Sequence, residues 1–199
     1  MLEHMHGVAG LEFGPEEYLA DFWSHFQRID DEFWKLERIQ NFREPEEPSW
    51  VAMMEGDWDR ALALGEATRD GNPQEPEYAG GLVRRRVRIV EQPVTPYLQW
   101  EMQMLKIRGA AGEHIRVLDA HAVEHLESKR PLPELVILDT LTMYQVLYDD
   151  KGTLNGARRV DDTDVIKACG RELTTLFDRG EDLLAYFERE IVFLPPPTS

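Results

Sequence analysis

Between Leu82 and Leu118 the chain reads LVRRRVRIVEQPVTPYLQWEMQMLKIRGAAGEHIRVL, and few folds accommodate that order of signals. Leu82 to Val90 alternates at period two, with Val83, Val87 and Ile89 on one face and Arg84, Arg86 and Arg88 on the other. Pro93 and Pro96 end this strand. Thr95 is placed to cap the next helix, and Pro96 stands at its first position, where a missing N–H costs nothing. Tyr97, Trp100, Met104 and Ile107 then form a helical stripe. Gly109 and Gly112 stop the helix, and His114 to Leu118 returns as a second strand. Two strands joined through a helix pair in parallel. The stretch therefore predicts a βαβ core.

A chain of 199 residues is long enough to bury a core as one domain. Its hydrophobic content of 42% with five tryptophans excludes a disordered chain. The 38 acidic against 22 basic residues give a formal charge of −16, which opposes direct binding to nucleic acid or to an anionic membrane surface. No apolar run reaches the roughly 18 residues that a membrane-spanning helix needs. The first residues, MLEHMHGVAG, lack the basic start and apolar centre of a signal peptide. A single cysteine, Cys169, excludes an intrachain disulfide and suits the reducing cytoplasm.

Residues 1–14 read as a flexible leader. Gly14-Pro15-Glu16-Glu17 opens a helix, and Tyr18, Phe22, Phe26 and Ile29 give it an aromatic face widened by Trp23. Such a face serves either as a stacking platform or as ordinary packing on a sheet. Asp30-Asp31 breaks the pattern, so Phe33 to Phe42 runs extended, with a single long helix to about Ile39 as the alternative. Arg43 to Pro48 is a linker, and Trp50 to Ala67 is helical in two pieces divided near Gly56. Arg69 to Gly81 is a long loop. Asp119 to Arg130 is a short polar helix or loop. Glu134 to Asp139 and Leu141 to Tyr148 read as strands, Asp149-Asp150-Lys151-Gly152 as a hairpin turn, and Thr153 to Val160 as the returning strand. Val165 to about Val192 is largely helical, with Gly170 and Gly180 as dividing points. Residues 193–199 form a disordered proline-rich tail. The fold class is α/β, with α+β as the alternative. The expected architecture is one domain over residues 15–192: a small mixed sheet with a βαβ core and an antiparallel hairpin, flanked by an aromatic N-terminal helix and a long C-terminal helix.

The arginine-rich strand, Pro93 with Tyr97, the Ala111-Gly112-Glu113-x-Ile115-Arg116 run and the later strand–Asp–hairpin pattern resemble an actinobacterial family known as domain of unknown function 6879. The resemblance covers roughly Tyr18 to Tyr186. It implies a small acidic protein, often encoded beside helix-turn-helix regulators, and hence a regulatory or interaction role with no catalytic activity to carry over. The loop around Tyr78 is longer than the family pattern, and the C-terminal end departs from it.

Three constellations could carry chemistry. Arg84, Arg86 and Arg88 share a strand face, and Arg116 is expected at equivalent depth on the parallel neighbour. Such guanidinium groups suit bidentate capture of phosphate or carboxylate, or else pair with the chain's own acids, such as Glu32, Glu37 or Glu101. His121-x-x-Glu124-His125 would place two histidines on one face of an α-helix, a zinc-site spacing that also arises by chance on a polar helix. Asp139, Asp149 and Asp150 suit a hard cation or simple turn chemistry. Nucleophile elbows, phosphate loops, dinucleotide fingerprints and C-x-x-C are absent from the sequence.

The expected function is non-enzymatic: a regulatory or interaction module binding a protein partner or a small anionic ligand. The ligand-binding residues would be Arg86, Arg88, Arg116, Tyr97 and Glu113, with no metal, no cofactor and no assignable catalytic residue. The expected partners are a helix-turn-helix regulator or other protein, the small anion, and a second copy of the chain in a homodimer. The alternative is a small-metabolite enzyme at the carboxyl ends of the central strands, floored by Val90 to Pro93 and Leu118 to His121.

Overall fold

The alternating and capped segments fold into one mixed sheet with helices on both faces. The computed structural model describes residues 1–69 and 81–197. The strands are β1 (Leu11–Phe13), β2 (Glu32–Glu37), β3 (Val83–Val90), β4 (His114–Asp119), β5 (Glu134–Leu138), β6 (Thr142–Tyr148), β7 (Leu154–Val160) and β8 (Glu181–Asp182). Their order across the sheet is β1-β7-β6-β5-β2-β3-β4-β8. β2, β3 and β4 run parallel, and every other neighbouring pair is antiparallel. The α/β class, the βαβ unit and the β6–β7 hairpin stand as read from the sequence. The sheet is wider than expected because β1 and β8, three and two residues long, carry too little pattern to be recognised.

Local chemistry sets the helices. α1 (Pro15–Phe26) starts with proline and two glutamates, and the Glu17 carboxylate accepts from the Gly14 amide at 3.2 Å. It ends before Asp30-Asp31, and the chain continues extended into β2, as the broken reading requires. α2 (Pro48–Met54) and α3 (Trp58–Glu66) are separated at Gly56, which takes a left-handed φ of 81°. α4 (Pro96–Ala110) is capped by Thr95, whose hydroxyl accepts from the Leu98 amide at 3.1 Å. α5 (Thr163–Arg179) is capped by Asp162 and ends at Gly180, and α6 (Leu183–Tyr186) continues as a π-helical turn to Ile191. Gly180, not Gly170, is the dividing point.

Parity along the strands sorts side chains between two faces. On one face Trp34, Leu36, Val87, Ile89 and Leu118 pack against α5 through Ile166, Cys169, Leu173 and Leu176. On the other, α1 covers β5 to β7 through Tyr18, Phe26, Val136 and Tyr144, and α4 covers β3 and β4 through Leu98, Met102, Ile115 and Val117. The aromatic face of α1 is thus largely sheet packing.

The flexible leader is corrected. Residues 2–7 form a 3₁₀ turn whose Leu2 and Met5 are fully buried beside α5, and β1 adds to the sheet edge against β7. Its pairing requires Gly156 (φ 108°), because a Cβ there would stand 2.0 Å from the Phe13 carbonyl oxygen. The tail is corrected in part, since Gln99 Nε2 donates to the Pro195 carbonyl at 2.7 Å. Most of the predicted Arg69–Gly81 loop, with Tyr78, lies outside the described residues. Among the described residues no helix is long and apolar enough to cross a membrane.

Candidate functional site

The same parity that buries Val87 and Ile89 turns the arginines of β3 toward α4. Arg86 is 5% exposed and Arg88 fully buried. The register sets Lys35 opposite Arg86 and Glu37 opposite Arg88 in the parallel β2–β3 pair. Arg86 donates from Nε to Glu113 at 2.6 Å and from Nη1 to both Glu37 oxygens at 2.7 and 2.6 Å. Lys35 Nζ meets Glu37 at 2.7 Å. Arg88 Nε donates to Glu101 of α4 at 2.7 Å, and its Nη1 donates to the Glu37 and Ile89 carbonyls at 3.3 and 3.2 Å. Its Nη2 is buried without a hydrogen-bond partner among the described residues, and the guanidinium lies 5.8 Å from the centre of the Phe42 ring.

The acids of this network are split by their surroundings. Burial works against the Glu37 carboxylate, but Arg86, Lys35 and Arg88 outweigh it and hold Glu37 far below the usual range. Burial likewise opposes Glu113, and Arg86 again prevails and lowers it. Glu101 goes the other way. Burial pushes it up to about 7, with Glu37 adding to the rise that Arg88 resists. Glu134 also reaches about 7 by burial, although it accepts from the Arg38 and Ile39 amides at 2.7 and 2.6 Å. Burial raises Glu44, which accepts from Tyr97 Oη at 2.6 Å.

This charged row floors a cavity of about 1120 Å³ between α1 and α4. Its α1 wall is Tyr18, Leu19, Phe22, Trp23 and Phe26, and its α4 wall includes Tyr97, Trp100, Met104, Ile107 and Arg108. Counted over the described lining residues, Lys35, Arg43, Arg69, Arg84, Arg86 and Arg108 give six cations, and Glu37, Glu44, Glu47, Glu101 and Glu113 give five acids. Two of those acids, Glu44 and Glu101, are pushed upward. The described lining therefore carries one more cation than acids inside a chain of charge −16. At the upper end of small-molecule pockets in size, it combines an apolar wall with a few convergent polar groups.

Of the five residues singled out in the sequence, Arg86, Tyr97 and Glu113 line this cavity. Arg88 lies beside it, wholly buried and paired. Arg116 is on the opposite face. The parallel register aligns it with Val87, where its guanidinium lies 5.5 Å from the Phe177 ring centre and 3.6 Å from Asp182. The expected convergence of Arg86, Arg88 and Arg116 therefore does not occur, because a one-residue difference in register reverses the face. Glu37 is the arginine partner anticipated from the sequence, whereas Lys35 was missed, and its signal was the alternation Phe33-Trp34-Lys35-Leu36-Glu37 once that segment is read as a strand.

The remaining constellations dissolve into local structure. His121 and His125 lie on a 3₁₀ turn (Ala120–Leu126), where i and i+3 eclipse and the α-helical alignment of i and i+4 is lost. His121 is exposed and bonded to Asp119 at 2.7 Å. Among the described residues no group of three or more His, Cys, Asp or Glu could hold a metal ion. Asp139, at φ 50°, accepts from the Glu32 amide, and Asp149 accepts from the Lys151 and Thr153 amides in its turn. The carboxyl ends of the central strands are tied by Gln40, which accepts from the Glu91 amide and donates to the Ile89 carbonyl, and by Arg38 reaching Glu91 and Glu127. The cavity lies beside the strands' face instead of at that edge.

The model of the domain of unknown function DUF6879 matches residues 20–188. The chain belongs to this family. No curated protein matches it. Among solved structures, TrmBL2, an archaeal chromatin protein whose structure is described as showing a novel mode of DNA binding, is similar at a TM-score of 0.43 and 10% identity. The match covers 88% of this chain and 54% of that one, so this DUF6879 chain spans about half the length of that neighbour.

Proposed function

We propose that this DUF6879 domain is a cytoplasmic, non-enzymatic regulatory module that takes a small anionic ligand into the cavity between α1 and α4 and passes its occupancy to a protein partner. A helix-turn-helix regulator is the partner that suits the family resemblance, with a second copy of the chain as the other. The single observation carrying the reading is an aromatic-walled cavity, in a strongly acidic protein, onto whose floor the partly exposed Lys35 ammonium opens. Lys35 is the residue that meets the anion. It is 30% exposed, and among the described residues its ammonium, with three donors, is taken up only by Glu37. Arg86, clamped by two carboxylates, holds Glu37 and Glu113 in place and supplies field more than direct contact. Direct binding to nucleic acid is not part of the reading, because the net charge repels phosphate.

The test is calorimetric titration of inorganic phosphate, succinate and benzoate at low ionic strength, on the wild type and on Lys35→Met. At least one anion should bind, and the variant should weaken it about tenfold or more, the scale of a lost charge-assisted hydrogen bond. Absence of binding by all three, or binding indifferent to Lys35, would overturn the proposal.

A further inference from the structure

The cavity is not uniform, and its gradient says more about the ligand than its charge does. Across the neighbouring strands β5, β2 and β3, the floor passes from Val136 through Phe33, Lys35 and Glu37 to Arg84 and Arg86. The floor is therefore apolar beneath α1 and charged toward α4, whose own wall is mostly aromatic and aliphatic. The α1 side is also incompletely used by the fold. Tyr18 and Phe26 are buried on the sheet, whereas Leu19 is 44% exposed and Phe22 and Trp23 are half-buried, all three lining the cavity. Leu19 and Trp23 stand one helical turn apart on a single flank of α1. Phe22 meets Trp23 edge-on at 5.0 Å and stacks on Phe26 at 5.4 Å, which fixes the ring orientations before any ligand arrives.

We infer that the ligand of this cavity is an aromatic anion, its planar ring held against Trp23 and Leu19 and its charged group directed to Lys35. The inference rests on the anion-binding reading above and sharpens it to a chemical class. A rigid aromatic surface offers a flat ligand face or edge contacts that a saturated ring of equal size cannot make. The anion at the other end meets the Lys35 ammonium. Carboxylate and phosphate would both serve there, since the recognising chemistry is the same.

The experiment compares naphthalene-2-carboxylate with its saturated counterpart decahydronaphthalene-2-carboxylate, and includes naphthyl phosphate, 2-naphthalenemethanol and succinate. All are titrated into the wild type and into Trp23→Leu. Trp23 is half-buried, and a thermal melt of the variant confirms its fold. The inference predicts that naphthalene-2-carboxylate binds about three- to tenfold tighter than the saturated acid. It also predicts that Trp23→Leu abolishes this ratio and leaves succinate unchanged, and that the uncharged alcohol binds at least tenfold more weakly than the acid. Naphthyl phosphate binding tighter or weaker than the carboxylate decides which anion is preferred, and either result supports the inference if both exceed the alcohol. Equal affinity for the aromatic and saturated acids, or a ratio indifferent to Trp23, overturns the aromatic inference while the anion reading stands. Binding of succinate with exclusion of both bicyclic acids does the same. Absence of binding by every anion overturns both.

Discussion

Replacing Arg88 with methionine removes the guanidinium from a fully buried site and keeps most of its apolar volume. The Glu101 carboxylate, 2.7 Å away and itself buried, loses its counter-charge, and the Glu37 and Ile89 carbonyls each lose a donor. Breaking a buried pair from one side costs about 3–5 kcal/mol. For a domain of this size that is a fall in melting temperature of roughly 6–20 °C. Glu101 escapes part of the cost by taking up a proton, and this gives the loss a signature in pH. In the wild type its folded pKa, about 7, is above the ordinary 4.5. The folded state then holds a proton that the unfolded chain releases, so this group's contribution is complete below about 4.5 and declines as pH rises to about 7. Without Arg88 the folded pKa rises further, and the decline continues to higher pH. The R88M penalty should therefore be larger at pH 8.5 than at pH 5.5. Urea unfolding at the two pH values measures it. The double variant R88M/E101L, which removes both charges, should recover to within about 1–2 kcal/mol of wild type, because a hydrophobic replacement of a whole buried pair is often neutral. A single-variant loss below about 1 kcal/mol at pH 8.5, or a double variant no better than the single, would refute the reasoning.

Glu134→Gln retains an oxygen acceptor for the Arg38 and Ile39 amides but removes a titration raised from 4.5 to about 7, so it should flatten the fall in stability between those values by up to about 3 kcal/mol, read from denaturant midpoints across pH. Met5→Ala should destabilise by about 2–5 kcal/mol in thermal or urea unfolding, because Met5 is fully buried against α5; a change within 0.5 kcal/mol would mean that the N-terminal turn is not part of the core. The double variant H121A/H125A should leave stability within about 0.5 kcal/mol, as expected of residues on an exposed polar turn, in a melt with and without chelator. Duplex DNA at low salt should bind only weakly, and submicromolar sequence-selective binding in a fluorescence titration would contradict the charge argument.

Much of the fold was legible because its signals are local. Thr95-Pro96, Asp162 and Gly14-Pro15 mark helix starts by chemistry within one turn, and the valine–arginine alternation of β3 declares both its faces. What escaped depended on distant partners. β1 is a strand only because Gly156 lets β7 approach it, and Leu2 and Met5 are core only because α5 returns beside them. The candidate site divides the same way. That Arg84, Arg86 and Arg88 share a face follows from period two, and Glu32, Glu37 and Glu101 were recognisable as their prospective partners from the excess of acids. The face taken by Arg116 depended on register, which a sequence with no hairpin between β3 and β4 does not set. The cavity itself, a gap left where α1 and α4 cover different strands, has no sequence signal at all.

The five tryptophans supply the most direct test of the cavity as a ligand site. Trp23 and Trp100 line it, while Trp34, Trp50 and Trp58 do not. Their indole N–H resonances, assigned by single replacements, can be followed in a proton–nitrogen correlation spectrum during titration with naphthalene-2-carboxylate. Saturable shifts of the Trp23 and Trp100 signals, with those of Trp34, Trp50 and Trp58 stationary, are the predicted result. Saturable shifts confined to the other three, with Trp23 and Trp100 unmoved, would place binding elsewhere and contradict the account.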